Sequence, residues 1–269
     1  MEGIVMPWAR ADLTLRQDPF PQGHVDDFLP ASLYQRLAAA FVEPELHPDL
    51  EILGKGKKRL RFTAPRGPAG LAEQAPAWAD FLAFLDREDI RAAALDWVRR
   101  LIPLGSLPEG PYRALYALRH ALRPDQLCWS CEFSSLDPGV SLPPHSDSTD
   151  KLLTFVHYFA SEAWQDDWGG GTQVYAAKDP AQNLNFSNFF LTQDKVTVLD
   201  NCGYRPNRLF FFAKTPAAWH GVAPVSPATA LARRSFNFSL RTSPEVDLLP
   251  RMTELMTEIH ALEAAAFAR

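Results

Sequence analysis

The residues best placed to do chemistry are His145 and Asp147, two positions apart in Ser141-Leu-Pro-Pro-His-Ser-Asp-Ser148, and His220, far downstream in Ala218-Trp-His-Gly-Val222. Two imidazoles and one carboxylate form the three-ligand set that suits a non-heme Fe(II) ion with open coordination positions. In an extended segment alternate side chains point the same way, so His145 and Asp147 can reach one ion. His220 must then arrive from another strand. A further feature lies in Ala232-Arg-Arg-Ser-Phe-Asn-Phe-Ser-Leu-Arg241. Strand alternation there puts Arg233, Ser235 and Asn237 on one face and Phe236, Phe238 and Leu240 on the other. The polar face would line a site and the apolar face would bury. A guanidinium at the head of that polar face can hold a carboxylate with two parallel hydrogen bonds. Arg234 shares its parity with the phenylalanines and is the weaker candidate.

These residues need strands to position them, and from Gln126 onward the sequence reads as strands. Leu127–Leu136 carries β-prone residues on one parity and mixed polar residues on the other. Lys151–Phe159 is almost entirely apolar, as a strand covered on both faces would be. Gly169-Gly-Gly-Thr-Gln-Val-Tyr175 turns into another, and the runs 195–199, 208–213, 219–225 and 233–240 supply four more. Many short strands separated by turn signals predict a sandwich or barrel. With candidate ligands at strand ends, the expected fold is mainly β with flanking α: a double-stranded β-helix, or jelly roll, with helices packed on one sheet.

The order His-x-Asp, distant His, then Arg-x-small resembles the Fe(II)/2-oxoglutarate-dependent oxygenases, and most nearly their prolyl-hydroxylase-like branch. The resemblance covers roughly the second half of the chain. It implies that His145, Asp147 and His220 bind Fe(II) and that Arg233 and Ser235 belong to the 2-oxoglutarate site. It also implies that O2 is consumed, with release of succinate and CO2, as a substrate C–H bond is hydroxylated. Ascorbate would be an accessory reductant. Related halogenases lack the carboxylate, so Asp147 favours hydroxylation. His157 stands where a family tyrosine often helps to hold 2-oxoglutarate; the alternative is a hydrogen-bonded core histidine. At Leu136 many relatives carry a tyrosine, so this part of the co-substrate pocket is expected to be lined differently. The substrate class left open is a small molecule or a peptide, and the competing reading is a non-catalytic jelly-roll binding or scaffold protein.

The rest of the chain reads as support. Residues 1–269 are expected to form a single domain: a mostly helical buttress over 1–125, the jelly roll over 126–242 and a C-terminal helix over 243–269. Leu33, Leu37 and Phe41 recur at helical spacing, as do Trp78, Phe81, Phe84 and Leu85, and then Ile90 through Leu101. Residues 112–122 suit either a strand or a helical turn. The basic run Gly54-Lys-Gly-Lys-Lys-Arg-Leu-Arg61 reads as a solvated hairpin, or as a flap that handles an acidic substrate. The Asn- and Phe-rich stretch 178–207 is either a lid or a structural hairpin. The tail stripe Leu248, Met252, Leu255, Ile259 and Leu262 is expected to pack on the sheet, with a homodimer contact as the alternative. Cys128 and Cys131 face opposite sides of a strand and do not make half a zinc site.

A net charge of −5 argues against nucleic-acid and membrane-surface partners. No apolar run approaches the roughly 20 residues needed to span a bilayer, and the first residues lack the pattern of a signal peptide. Three cysteines, an odd number, favour a reducing compartment and a cytoplasmic location.

Overall fold

The computed structural model describes residues 3–53, 56–247 and 249–268. Its strands are β1 (Thr14–Arg16), β2 (Gln22–Val25), β3 (Glu51–Leu53), β4 (Lys57–Thr63), β5 (Leu127–Leu136), β6 (Leu142–His145), β7 (Lys151–Tyr158), β8 (Thr172–Ala177), β9 (Val196–Cys202), β10 (Leu209–Ala213), β11 (His220–Val222) and β12 (Arg233–Thr242). They form an eight-stranded sheet in the order β1-β2-β10-β7-β12-β5-β4-β3 and a four-stranded sheet in the order β6-β11-β8-β9. All pairings are antiparallel. This is the expected jelly roll. The basic run is not merely a solvated hairpin: β4 is a full strand of the large sheet, paired with β5. Gly54 and Lys55 lie outside the described residues.

Alternation along the long strands separates two environments. On the outer face Trp129, Cys131 and Phe133 of β5, Phe155 of β7 and Phe236, Phe238 and Leu240 of β12 are buried in one apolar core. Helices cover that face: α1 (Ala31–Ala39), α2 (Leu71–Gln74), α3 (Pro76–Leu85), α4 (Glu88–Leu101) and α5 (Pro111–His120). Trp78 of α3 is central, with its ring 4.7 Å from both Phe133 and Phe236. Its indole N–H donates to the Leu37 carbonyl at 3.0 Å and so ties α1 to α3. α4 buries Ala94, Leu95, Trp97, Val98 and Leu101, and it starts with Glu88 and Asp89 and ends with Arg99 and Arg100, a charge order that suits the helix dipole. Segment 112–122 resolves as helix, because Pro111 opens the first turn and Tyr112, Leu115, Tyr116 and Arg119 share a buried face.

The tail, α6 (Pro244–Asp247) and α7 (Pro250–Phe267), departs from expectation. α7 packs chiefly on α5 and on the turn at 180–183 rather than on the sheet. Met252, Leu255 and Ile259 are buried, whereas Leu262 is 55% exposed. The next buried position is Glu263, whose carboxylate accepts from the Tyr112 hydroxyl at 3.0 Å and from the backbone N–H groups of Phe186 and Ser187. Leu248 lies outside the described residues. Among the described residues no helix is long and apolar enough to cross a membrane.

Candidate metal centre and co-substrate cavity

A cavity of about 430 Å³ opens between the two sheets, lined by the inner faces of β4, β5, β7 and β12 and by the ends of β6 and β11. His145 closes β6 and His220 opens β11, and the two are direct cross-strand partners. Their rings are therefore neighbours, with centroids 4.3 Å apart. β6 ends at His145, so Asp147 reaches them through the following turn and not by strand alternation as expected. One donor atom from each of His145, Asp147 and His220 lies within 4.8 Å of the others.

The surroundings suit a metal. Nδ1 of His145 lies 2.9 Å from the Pro143 carbonyl and Nδ1 of His220 lies 3.0 Å from the Ala218 carbonyl. A carbonyl only accepts, so each Nδ1 carries the proton and each Nε2 keeps its lone pair for an ion. Burial pushes His145 down to about 3, helped by the neighbouring His220, and burial likewise lowers His220. Both rings are thus neutral near pH 7, as ligation requires. Burial opposes ionisation of Asp147, but Lys151 and then the two histidines outweigh it and hold its carboxyl far below the usual range. Thr154 donates to Oδ2 at 2.9 Å and Lys151 lies 3.0 Å from Oδ1.

Arg233, on the inner face of β12, is 2% exposed. Its Nε donates to the Gly170 carbonyl at 2.5 Å and its Nη1 to Ser235 Oγ at 3.1 Å. Its Nη2 is buried without a hydrogen-bond partner among the described residues. A buried unpaired donor on a charged group is costly unless a ligand meets it. The guanidinium lies 5.1 Å from the ring centroids of both Tyr158 and Tyr204. Gly170 can sit this close because it has φ +76° and no side chain; a Cβ there would lie 3.3 Å from Arg233 Cδ. Arg234 points the opposite way and pairs with Glu43 at 2.5 Å.

His157 does not line the cavity. It is buried on the outer face, 5.2 Å from the Phe28 ring and 4.6 Å from Phe159, with Nε2 3.1 Å from Asn207 Oδ1. By strand alternation it shares the parity of Phe155, which belongs to the helix-covered face. Tyr158, one residue on, faces Arg233, a position the same alternation could have identified. Tyr204, on the loop after β9, carried no local signal. Its hydroxyl holds the backbone of Arg234, accepting from the N–H at 2.8 Å and donating to the carbonyl at 2.9 Å.

The stretch 178–207 is divided. Its second half is β9, while its first half folds over the cavity mouth. There Phe190, 55% exposed, stacks on His145 with centroids 5.3 Å apart and planes at 12°. Asn188, with φ 61°, also lines the mouth. Leu136 lines the cavity as well. Cys128, Cys131 and Cys202 form no disulfide among the described residues.

Residues 131–241 match the family model described as the 2OG-Fe(II) oxygenase superfamily. No curated protein matches the sequence. Among solved structures, the chain is similar to a Pseudomonas putida prolyl-4-hydroxylase at 19% identity and TM-score 0.50, over 82% of this chain and 92% of that one. It is also similar to the epimerase SnoN of nogalamycin biosynthesis, solved with Fe3+ and alpha-ketoglutarate, at 13% identity and TM-score 0.48 over 85% of each chain. A third similar structure is HygX of Streptomyces hygroscopicus, solved with nickel and 2-oxoglutarate, at 11% identity and TM-score 0.44 over 83% of each chain. His145, Asp147, His220 and Arg233 all fall within the segment that resembles the 2OG-Fe(II) oxygenase superfamily, and the chain's fold is like that of the prolyl-4-hydroxylase.

Proposed function

We propose that the protein is an Fe(II)- and 2-oxoglutarate-dependent dioxygenase that hydroxylates a C–H bond of a small-molecule or peptidyl substrate. The observation that carries this reading is the union, in one cavity, of a His-Asp-His cluster with both Nε2 atoms free and a buried guanidinium whose Nη2 lacks a partner. Bound there, iron and 2-oxoglutarate supply the oxidising chemistry, consuming O2 and yielding succinate and CO2. The chain's own residues hold and orient. His145 and His220 offer Nε2 because the Pro143 and Ala218 carbonyls fix their tautomers. Asp147 is kept anionic and is steadied at Oδ2 by Thr154. Arg233 takes the distal carboxylate of 2-oxoglutarate, with Ser235 and Gly170 fixing the fork and Tyr158 and Tyr204 excluding water from it. Phe190 shields one face of His145. We read the chain as one oxygenase domain acting in the cytoplasm, a reading supported by its odd number of cysteines.

The test is succinate formation dependent on Fe(II), 2-oxoglutarate and O2. His145→Ala or His220→Ala is expected to abolish it and to lower bound iron by metal analysis, with the fold intact by circular dichroism. Chelation is expected to inhibit reversibly. Wild-type-like turnover in either variant at limiting Fe(II) would remove the site assignment. Wild-type protein that neither binds iron nor forms succinate would leave the non-catalytic jelly-roll reading.

A further inference from the structure

The basic run is built into the cavity wall. Lys57, Arg59 and Arg61 are alternate residues of β4, so their side chains stand on the cavity face while Leu60 is buried in the outer core. Six cations line the cavity, these three with Lys151, Arg233 and Arg241, against the carboxylates of Glu132 and Asp147. Adding Glu51 and Asp150, which pair with lining arginines, brings the acids only to four. The cavity therefore keeps an excess of positive charge in a chain of net charge −5. Such a local field favours a ligand of opposite sign.

The cations of β4 are oriented by carboxylates, and one edge of Arg59 is only weakly held. Glu51 of the edge strand β3 accepts from Nε and Nη2 of Arg59 at 2.9 and 2.6 Å and lies 3.3 Å from Nε of Arg61. Nη1 of Arg59 has only Glu132, at 3.5 Å, the outer limit of a hydrogen bond. Ser134, directly across from Arg59 in the β4–β5 ladder, is fully buried and lines the cavity. Its hydroxyl has no hydrogen-bond partner among the described residues, and neither has Oδ1 of Asn237, on β12 opposite Glu132. A buried unpaired hydroxyl beside a guanidinium edge that holds its carboxylate only at 3.5 Å is a seat for an anionic oxygen.

We propose that the substrate carries an anionic group, a carboxylate or a phosphate, that seats on Arg59 and Arg61 beside Ser134; this rests on the oxygenase reading of the same cavity. β4 lies three strands from β7, whose Thr154 holds Asp147, and that is about 14 Å at about 4.8 Å per strand. An anion gripped by an arginine reaching inward from β4 therefore leaves room for a body of several bonds between it and the metal ligands. The occupant is an anionic metabolite or an acidic segment of that length, anchored at one end and oxidised at the other.

The experiment is calorimetric titration of the full-length protein, loaded anaerobically with Fe(II) and saturating 2-oxoglutarate, with inorganic phosphate and separately with benzoate. Bound iron is measured on the same samples, so failure to load, which would count against the oxygenase reading, is seen apart from failure to bind the anion. One probe is expected to bind at a single site, and its identity distinguishes phosphate from carboxylate recognition. Arg59→Gln is expected to weaken that binding at least tenfold, Arg61→Gln severalfold, and Arg59→Lys less than Arg59→Gln. Arg234→Gln, on the other face of the sheet, is the control. The proposal is overturned if neither probe binds, if binding survives unchanged in both Arg59→Gln and Arg61→Gln, or if only Arg233→Gln removes it. Arg61 is half exposed, so its variant tests the idea even if Arg59→Gln unfolds.

Discussion

Arg233 and Arg234 are neighbours in sequence with opposite roles, and the pleat of β12 is the cause. Arg233 is buried with one unpaired N–H group, while Arg234 meets Glu43 on the outer face. A charge-assisted contact of Arg233 to a carboxylate is worth roughly 1.5–3 kcal/mol. Arg233→Ala should therefore raise the apparent 2-oxoglutarate requirement roughly ten- to a hundredfold, at about 1.4 kcal/mol per decade. Arg233→Lys should recover part of the loss, since charge remains without the fork. Arg234→Ala should change it little; succinate formation against 2-oxoglutarate concentration reads all three. His157 makes a different prediction. Burial holds its imidazole neutral down to about 3, whereas the unfolded chain takes up the proton near the ordinary 6.5. Between those values the unfolded state binds more protons, so stability is full above about pH 6.5 and falls as pH drops towards 3. His157→Gln should make that acid limb shallower in urea midpoints measured at about pH 7.5 and about pH 5. An unchanged limb would mean that the acid sensitivity lies elsewhere.

At the scale of elements, the C-terminal helix holds the loop over the site. Glu263 of α7 is 1% exposed and meets the backbone of Phe186 and Ser187, just before Asn188 and Phe190 at the cavity mouth. The ring of Phe189 stacks on Phe267 of the same helix at 4.4 Å. Glu263→Gln keeps the shape but replaces one acceptor oxygen with a donor, leaving a buried N–H unmet. The expected cost is about 1–3 kcal/mol, with faster proteolysis within 184–192 and a raised substrate KM ahead of any loss of iron. Equal cleavage of variant and wild type would show that α7 does not restrain the loop.

For the whole molecule, the apolar outer face of the large sheet explains why the jelly roll is not autonomous. Trp129, Phe133, Phe236 and Phe238 are buried in the core that the helices of the first 125 residues, with Phe41 and Phe62, close over the sheet. Left bare, these side chains would form an exposed patch of the kind that drives aggregation. A fragment of residues 126–242 is expected to be insoluble or to lack near-UV circular dichroism, although it contains every candidate ligand. A soluble fragment that bound iron would show that the first 125 residues are a separable unit.

Side-chain chemistry and period-two alternation were legible in the sequence alone. They singled out His145, Asp147, His220 and Arg233, assigned the two faces of β12 and identified a jelly roll, because ligand types and strand periodicity are local properties. The tertiary structure decided the rest, because it depends on which face of a strand the helices cover and which strands become neighbours. His157 and Tyr158 both lie on β7, and only the packing of helices on one side told the core histidine from the residue beside Arg233. Tyr204 came to the guanidinium through a loop, where no periodicity constrains direction. Asp147 joined the histidines through a turn, not through the strand. The basic run read as a solvated hairpin or as a flap for an acidic substrate, and only pairing with β5 turned its alternate cations into the cavity. Glu263, beside the expected stripe position Leu262, took its role from the loop packed against it, and a one-dimensional pattern does not record that partner.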